Sequence, residues 1–293
     1  MNLQKFFDEP IISIVKIEEG FSVDQKYLVN QLYLVRIVSF DRIERFRNVF
    51  SFQKKFYQIA LCQKPINFFE DQENGYYITE FLPGKNGLEV IESYNKEKQL
   101  ELGKIAGYQL SKVHKKYCVK DFDSKAYFNE YLSSKIQIAI DHNVQKDLPE
   151  LLDIIEKVKK NIHHLYHLEG KLTHSDYHLF NMIFENGEYK GVIDFERCRR
   201  GVFLNDFRNN TPHNSDISPY FASGFIDGYL DELPIKNFFL MYNVHDLLLV
   251  IAAIPWVKQF NPENLENDII KIKKIYEQCK KLEEPPVWYV GKY

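Results

Sequence analysis

The stretch Thr173-His174-Ser175-Asp176-Tyr177-His178-Leu179-Phe180-Asn181, followed by Ile193-Asp194-Phe195-Glu196, decides the reading of this chain. Between the two segments, Met182-Ile183-Phe184-Glu185 and Tyr189-Lys190-Gly191-Val192-Ile193 have the β-branched and aromatic content of short strands. Asn186-Gly187 separates them, and Asn-Gly favours the two-residue type I′ turn of a hairpin. That register sets Asn181 across from Val192 and carries Asp194 about two residues, roughly 7 Å, past the paired position. Asn181 and Asp194 then share the open end of one hairpin, close enough to hold one cation, with Asp176 five residues before Asn181.

Phosphoryl transfer from a magnesium nucleotide needs such a set. One carboxylate, here Asp176, orients the attacking hydroxyl and takes its proton. A neutral amide, Asn181, and a second carboxylate, Asp194, hold the cation that offsets charge on the phosphates. Mg2+ keeps phosphate oxygens and water in most of its coordination positions, so one Asn and one Asp suffice.

These residues resemble two motifs of the family of aminoglycoside phosphotransferases and choline/ethanolamine-type kinases. His174-Ser175-Asp176 with Asn181 is similar to its His-Gly-Asp-x-x-x-x-Asn, and Ile193-Asp194-Phe195-Glu196 to its Ile-Asp-Phe-Asp/Glu. The family usually has Gly where this chain has Ser175. The resemblance implies an α+β, two-lobed protein-kinase-like fold. A small N-terminal antiparallel β-sheet lobe would span residues 1–82 and a larger, mainly α-helical C-terminal lobe residues 83–293. It also implies supporting roles for His174, Glu196 and Asp206, the last matching an Asp that braces the catalytic loop. Protein kinases follow the metal-binding Asp with Phe-Gly and later Ala-Pro-Glu. Here Phe195-Glu196 follow, and Asp206 arrives twelve residues after Asp194, leaving no room for a platform that docks a polypeptide. The expected activity is transfer of the γ-phosphate of Mg-ATP or Mg-GTP to a hydroxyl of a small molecule of aminoglycoside type, with no protein partner.

The bulk numbers exclude other classes. With 293 residues, 45% hydrophobic and 15% aromatic, the chain can bury a substantial core. The net charge of −3, from 38 basic and 41 acidic residues, gives no footprint for nucleic acid. The longest apolar run, Leu247 to Val257, is short for a membrane span and contains Pro255. Met1 to Asp8 shows no signal-peptide core. Cys62, Cys118, Cys198 and Cys279 are scattered without zinc or redox spacing, which reads as reduced thiols in the cytoplasm.

Toward the N-terminus, residues 11–17 and 26–38 read as strands. The segment between them, Glu19 to Tyr27, resembles the family's Gly-x-Ser-x-Asp-Lys-Lys-Tyr loop over the nucleotide, with Gly20, Ser22 and Asp24 at its marked positions. Backbone N–H groups at Ser22 and Val23 would face phosphate oxygens. A kinase also needs a cation on its third strand for the phosphates. Arg36, in Leu34-Val35-Arg36-Ile37, matches a form seen in part of the family; Lys26 on the preceding strand is the alternative. The best match to the family's helical Glu partner is Glu44. Tyr76 to Gly84 resembles the hinge between lobes, where backbone groups near Glu80 and Leu82 would pair with the adenine edge.

From Lys98 onward the apolar spacing is helical, and residues 125–142 and 148–167 continue as amphipathic helices. His114 reads as a buried structural histidine, and His163, His164 and His167 as a solvated helix face. By resemblance, this insert and the C-terminal helices form the acceptor cleft. A polycationic acceptor calls for acids there, and Asp206, Asp216, Asp227, Asp231 and Glu232 are the candidates. Arg197, Arg199 and Arg200 form a basic cluster that would either contact an anion or line a solvated loop. Val202 stands where the family has Asp. Two rivals remain: a silent nucleotide-binding module, and a metabolic kinase for choline, ethanolamine or a sugar. For a quaternary ammonium, Tyr220, Trp256 or Trp288 would line the cleft.

Overall fold

The computed structural model describes residues 3–18 and 24–293. Five antiparallel strands open the fold: β1 (Ile14–Ile17), β2 (Gln25–Val29), β3 (Tyr33–Ser39), β4 (Pro65–Glu70) and β5 (Asn74–Glu80), in the order β1-β2-β3-β5-β4. The run 26–38 is divided because Asn30 and Gln31 take left-handed φ values of 52° and 56°, closing a tight turn with Leu32 N–H on the Val29 carbonyl at 3.0 Å. The first strand starts at Ile14 rather than Ile11. The Ile12 and Ser13 amides donate instead to the Asn30 side chain, at 2.8 and 3.1 Å.

Alternation along β3 sends side chains to opposite faces. Val35 and Ile37 join Val29, Tyr76 and Ile78 under the N-terminal segment, where Leu3 and Phe6 cover them. Arg36 and Val38 face the other way, toward α1 (Ile43–Tyr57), whose Phe46, Val49 and Phe56 are buried. Phe46 and Tyr77 meet edge to face at 5.6 Å.

The chain then crosses into a mainly helical region. It contains β6 (Lys85–Asn86), α2 (Gly87–Val90), α3 (Lys96–Lys116), β7 (Cys118–Val119), α4 (Ser124–Asp141) and α5 (Leu151–Asn161). After β8 (Gly170–Thr173) come the hairpin β9 (Met182–Glu185) and β10 (Glu188–Val192), β11 (Arg199–Gly201), and six helices. These are α6 (Leu204–Phe207), α7 (Ser215–Ile217), α8 (Pro219–Glu232), α9 (Phe238–Val250), α10 (Ala253–Phe260) and α11 (Leu265–Gln278). Two small sheets, β10-β9-β6 and β11-β8-β7, carry the loops between them. The helix read over 148–167 is shorter: α5 stops at Asn161 and tightens into a 3-10 turn over Ile162–Leu165. Among the described residues no group of three or more His, Cys, Asp or Glu gathers as a metal site. No single described helix is long and apolar enough to cross a membrane; α9 and α10 pass together on length and composition but bend by 51°.

The tightest helix pair positions the site. Gly103 and Gly107 on α3 and Gly224 and Gly228 on α8 repeat at four-residue spacing, so small faces meet along the whole contact. A Cβ at Gly107 would collide with the Phe225 carbonyl oxygen, and one at Gly228 with that of Lys104. This close approach brings His114 near the end of α3 beside Tyr229 near the end of α8, with Nδ1 2.9 Å from the hydroxyl. Gly107→Ala would force the helices apart against backbone atoms that cannot yield. A loss of about 2–3 kcal/mol is expected in urea unfolding. An unchanged midpoint would show that the helices slide freely.

Candidate active site

The hairpin β9–β10 forms with a register one residue different from the expected one. Val192 pairs with Met182 and Gly191 with Ile183, because Lys190 bulges out between Tyr189 and Gly191. Gly191 has φ 146°, and a Cβ there would come within 2.9 Å of the Cys62 backbone. The bulge lets the hairpin close on that segment, where Gln63 N–H donates to the Val192 carbonyl at 2.9 Å. Asn181 therefore faces Ile193, whose N–H donates to its carbonyl at 2.8 Å. Asp194 begins one residue past that pair, nearer to Asn181 than the simple hairpin count implies.

Asp176 sits among donors. Asn181 Nδ2 donates to its main-chain carbonyl at 3.0 Å and to Oδ2 at 3.2 Å. Asn209 Nδ2 donates to Oδ1 at 3.0 Å, His178 Nε2 lies 3.3 Å away, and Arg197 reaches to 3.6 Å. Burial opposes charge on Asp176, but the His178 hydrogen bond, then Arg197, outweigh it and hold the carboxyl below the usual range. Asp176 is thus ionised at neutral pH and suited to orient a hydroxyl. With its amide nitrogen committed to Asp176, Asn181 has Oδ1 left for a cation. Asp194 is 42% exposed on its side chain. A carboxylate and an amide oxygen at one hairpin end are the hard oxygen donors magnesium takes.

Two residues tie the loops together. His174 is fully buried; Nε2 donates to the Ile193 carbonyl at 3.0 Å and Nδ1 accepts from Asp176 N–H at 3.3 Å, which assigns its tautomer. Burial lowers its pKa, against the pull of Asp206, Asp176 and Asp194, so the ring bridges the two loops in neutral form. Asp206, also fully buried, accepts from the amides of His174 at 3.2 Å and Ser175 at 2.5 Å and meets His114 Nε2 at 3.0 Å. The Ser175 amide points inward because Ser175 takes φ 63°, the left-handed conformation that favours the family's Gly. Its hydroxyl compensates in part through Thr173 at 2.8 Å. Asp194 is left-handed too, with φ 59°.

Arg36 is buried under a shared set of carboxylates. Nε donates to Asp24 at 2.5 Å, one terminal nitrogen to Asp194 at 3.3 Å, and the other to Glu196. Burial would lower its pKa, but Asp194, Glu196 and Asp24 together raise it. Arg42 joins Asp24 and Glu196 from the opposite side, and Arg45 reaches the Glu196 carbonyl at 3.1 Å. Glu44 is exposed and forms no ion pair with Arg36. The first turns of α1 bring arginines to the site, and the acids come from Asp24 and the metal-side loop. Lys26 lies directly across from Arg36 in the β2–β3 register. The expected positions Gly20 and Ser22 lie outside the described residues. Glu80 is exposed, with its amide donating to the Lys64 carbonyl at 2.9 Å; the Leu82 amide meets no acceptor among the described residues.

Sequence reasoning missed His178, Asn209 and Arg42. His178 lies inside the quoted motif and was readable as a polar neighbour of Asp176. Asn209 leads into an irregular helical turn over Asn210–Asn214, which no local pattern announces. The five acids expected in an acceptor cleft are all engaged. Asp206 braces the loop, Asp216 pairs with Lys271 at 2.7 Å, and buried Asp227 accepts from the Tyr289 hydroxyl at 2.5 Å. Asp231 pairs with Lys292 at 2.5 Å and Glu232 with Lys115 at 3.8 Å. The three aromatic candidates do not touch one another: Tyr220 lies under Lys96, Trp256 packs on Phe260 and Trp288 on Tyr289. Cys198 is buried and its thiol is pushed up by burial, so it is a packing residue.

Behind the irregular turn, Asp246 on α9 is buried, accepts from Thr211 Oγ1 at 2.6 Å and leaves Oδ1 unpartnered. Burial pushes its pKa up to about 7, against the Thr211 hydrogen bond. The folded state then binds more protons than the unfolded chain between about pH 4 and 7, so stability falls as pH rises through that window, by on the order of 4 kcal/mol. Asp246→Asn should gain on the native chain steadily from pH 4 to 7.5 in denaturant unfolding. A difference independent of pH would contradict this.

The model of the phosphotransferase enzyme family matches residues 13–234. The chain belongs to this family. Solved aminoglycoside phosphotransferases share the fold of this phosphotransferase over nearly its whole length. The gentamicin complex of APH(2")-IIa is 19% identical, covers 90% of this chain and 91% of its own, and superposes with a TM-score of 0.61. ADP-bound APH(2'')-Ib is 18% identical over 96% of each chain, with a TM-score of 0.57. An aminoglycoside phosphotransferase from Alicyclobacillus acidocaldarius subsp. acidocaldarius DSM 446 is 12% identical over 96% of this chain and 92% of that one, at 0.58. No curated protein sequence matches significantly. At these identities the likeness establishes the fold, and the expected kinase-like α+β architecture is the one observed.

Proposed function

We propose that this phosphotransferase moves the γ-phosphoryl group of ATP to a hydroxyl of a small molecule. The observation that carries the reading is the meeting of Asp176, Asn181 and Asp194, with His174 bonded to both loops at once. Asp176 accepts the hydrogen bond of the incoming hydroxyl and, being ionised, aligns it rather than removing its proton beforehand. Asn181 through Oδ1 and Asp194 through its carboxylate would hold magnesium, which when bound supplies positive charge to the phosphates. Arg36 and Arg42 bring further positive charge to the same side, and the Asp24 and Glu196 carboxylates fix their forks. Leu82 N–H and the Glu80 carbonyl suit the adenine edge, which puts the boundary between nucleotide-binding and helical parts near residue 82. Named complexes of similar folds hold ATP or ADP, so ATP is the favoured donor and GTP the alternative. Gentamicin and streptomycin are the ligands named for the similar structures. A reducing, cytoplasmic setting fits four unpaired thiols.

Calorimetric titration of ATP tests the nucleotide half. Binding should require Mg2+, weaken at least about tenfold in EDTA, and lose that dependence in Asp194→Ala. Equal affinity with Mg2+ and with EDTA would contradict the assignment of Asn181 and Asp194.

A further inference from the structure

Three cations stand together near the Asp176 loop without a counter-charge. Lys135 on α4, Arg199 on β11 and Arg208 just after α6 make no side-chain hydrogen bond and no ion pair among the described residues. Their placement is fixed. Lys135 Nζ lies 5.1 Å over the Tyr131 ring, Tyr131 stacks on Tyr127 at 6.1 Å, and the Tyr127 hydroxyl accepts from Asn205 on α6 at 2.9 Å. Arg199 pairs with Thr173, which donates to its carbonyl at 3.1 Å, and Arg208 precedes the Asn209 that bonds Asp176. His245 on α9 is 5% exposed and has no hydrogen-bond partner among the described residues.

The cations act on one another. Burial lowers the pKa of Lys135, and Arg208 and Arg199 lower it further. His245 is pushed down to about 3 by burial, then by Arg208, Arg199 and Lys135. Like charges gathered without an acid repel, and an anion placed among them relieves that cost. Two arginine forks are shaped to bind a carboxylate or phosphate in bidentate fashion. Arg197, 53% exposed and 3.6 Å from Asp176, extends the positive field to the reacting position. Meanwhile the five acids suited to a polycation are occupied.

We propose that Lys135, Arg199 and Arg208 receive an anionic substituent of the acceptor, a carboxylate or phosphate-type group, while its hydroxyl meets Asp176. The acceptor class is then an acidic alcohol rather than a polyamine. The inference rests on the phosphotransferase reading above.

Inorganic sulfate and malonate serve as probes of the two anion types, titrated calorimetrically with the nucleotide site filled by Mg-ADP. At least one should bind the native chain, and the Arg199→Gln/Arg208→Gln double variant should weaken that binding at least tenfold. Lys135→Gln should weaken it less and Lys135→Arg should retain it, which separates charge from packing. Mg-ATP affinity of the same variants, measured without Mg-ADP, should not change. Absence of binding by both probes, or equal binding in native and double-variant chains, overturns the anion site while leaving the kinase reading intact. Failure of Mg-ATP to bind the native chain sinks both.

Discussion

Asp176→Asn should lower acceptor-dependent turnover by about 10²- to 10⁴-fold while leaving the affinity for Mg-ATP within a few-fold of native. The side chain keeps its shape but can no longer take the hydroxyl proton. Its present partners show why the effect falls on turnover. Asn181, Asn209, His178 and Arg197 all direct positive or donor groups at the carboxylate. An amide there reverses one of those contacts, so the loop shifts slightly but remains anchored through His174 and Asp206. Separate measurement of kcat and of nucleotide affinity distinguishes the role from a general disturbance. Turnover within tenfold of native would remove Asp176 from the reaction.

Asp206→Ala should have the largest effect on folding, about 3–5 kcal/mol in urea unfolding. The carboxylate is fully buried and accepts from the His174 and Ser175 amides while meeting His114. Truncation leaves three buried donors without an acceptor, each costing about 1–3 kcal/mol before relaxation. It also releases the left-handed Ser175, a conformation that costs about 1–3 kcal/mol and persists because its amide is held. Activity should fall with stability even in the fraction that stays folded, since Asp176 follows directly on Ser175. A loss under about 1 kcal/mol would mean that water replaces the carboxylate and that the brace is dispensable.

Much of the site was readable because its chemistry is local. Asp176 and Asn181 belong to one loop, and the Asn-Gly turn announces the hairpin that returns Asp194. The bulge at Lys190 was missed, although a glycine inside a strand pattern, Gly191, marks such irregularities. Arg36 was identifiable on its strand, but its acids lie 12 residues upstream and 158 and 160 residues downstream, where periodicity carries no information. For the same reason Glu44, close in sequence and on the right helix, is the expected partner where the structure has Glu196. His114 was legible as buried but not as the partner of Asp206 and Tyr229, because that contact depends on the glycine-lined meeting of α3 and α8. The acceptor side was least legible: whether an acid is available or already paired depends on distant lysines, such as Lys271 for Asp216. The cation cluster has the same origin, assembled from α4, β11 and the end of α6.

The most direct test of the central claim follows the phosphate itself. ATP labelled at the γ-phosphate would be incubated with Mg2+ and a panel of acidic, neutral and polyamine alcohols, for the native chain and Asp176→Asn. The account predicts label on an acceptor with the native chain and its loss in the variant. Contradiction would be nucleotide bound by the native chain with label reaching no acceptor, or reaching one equally well without the Asp176 carboxylate.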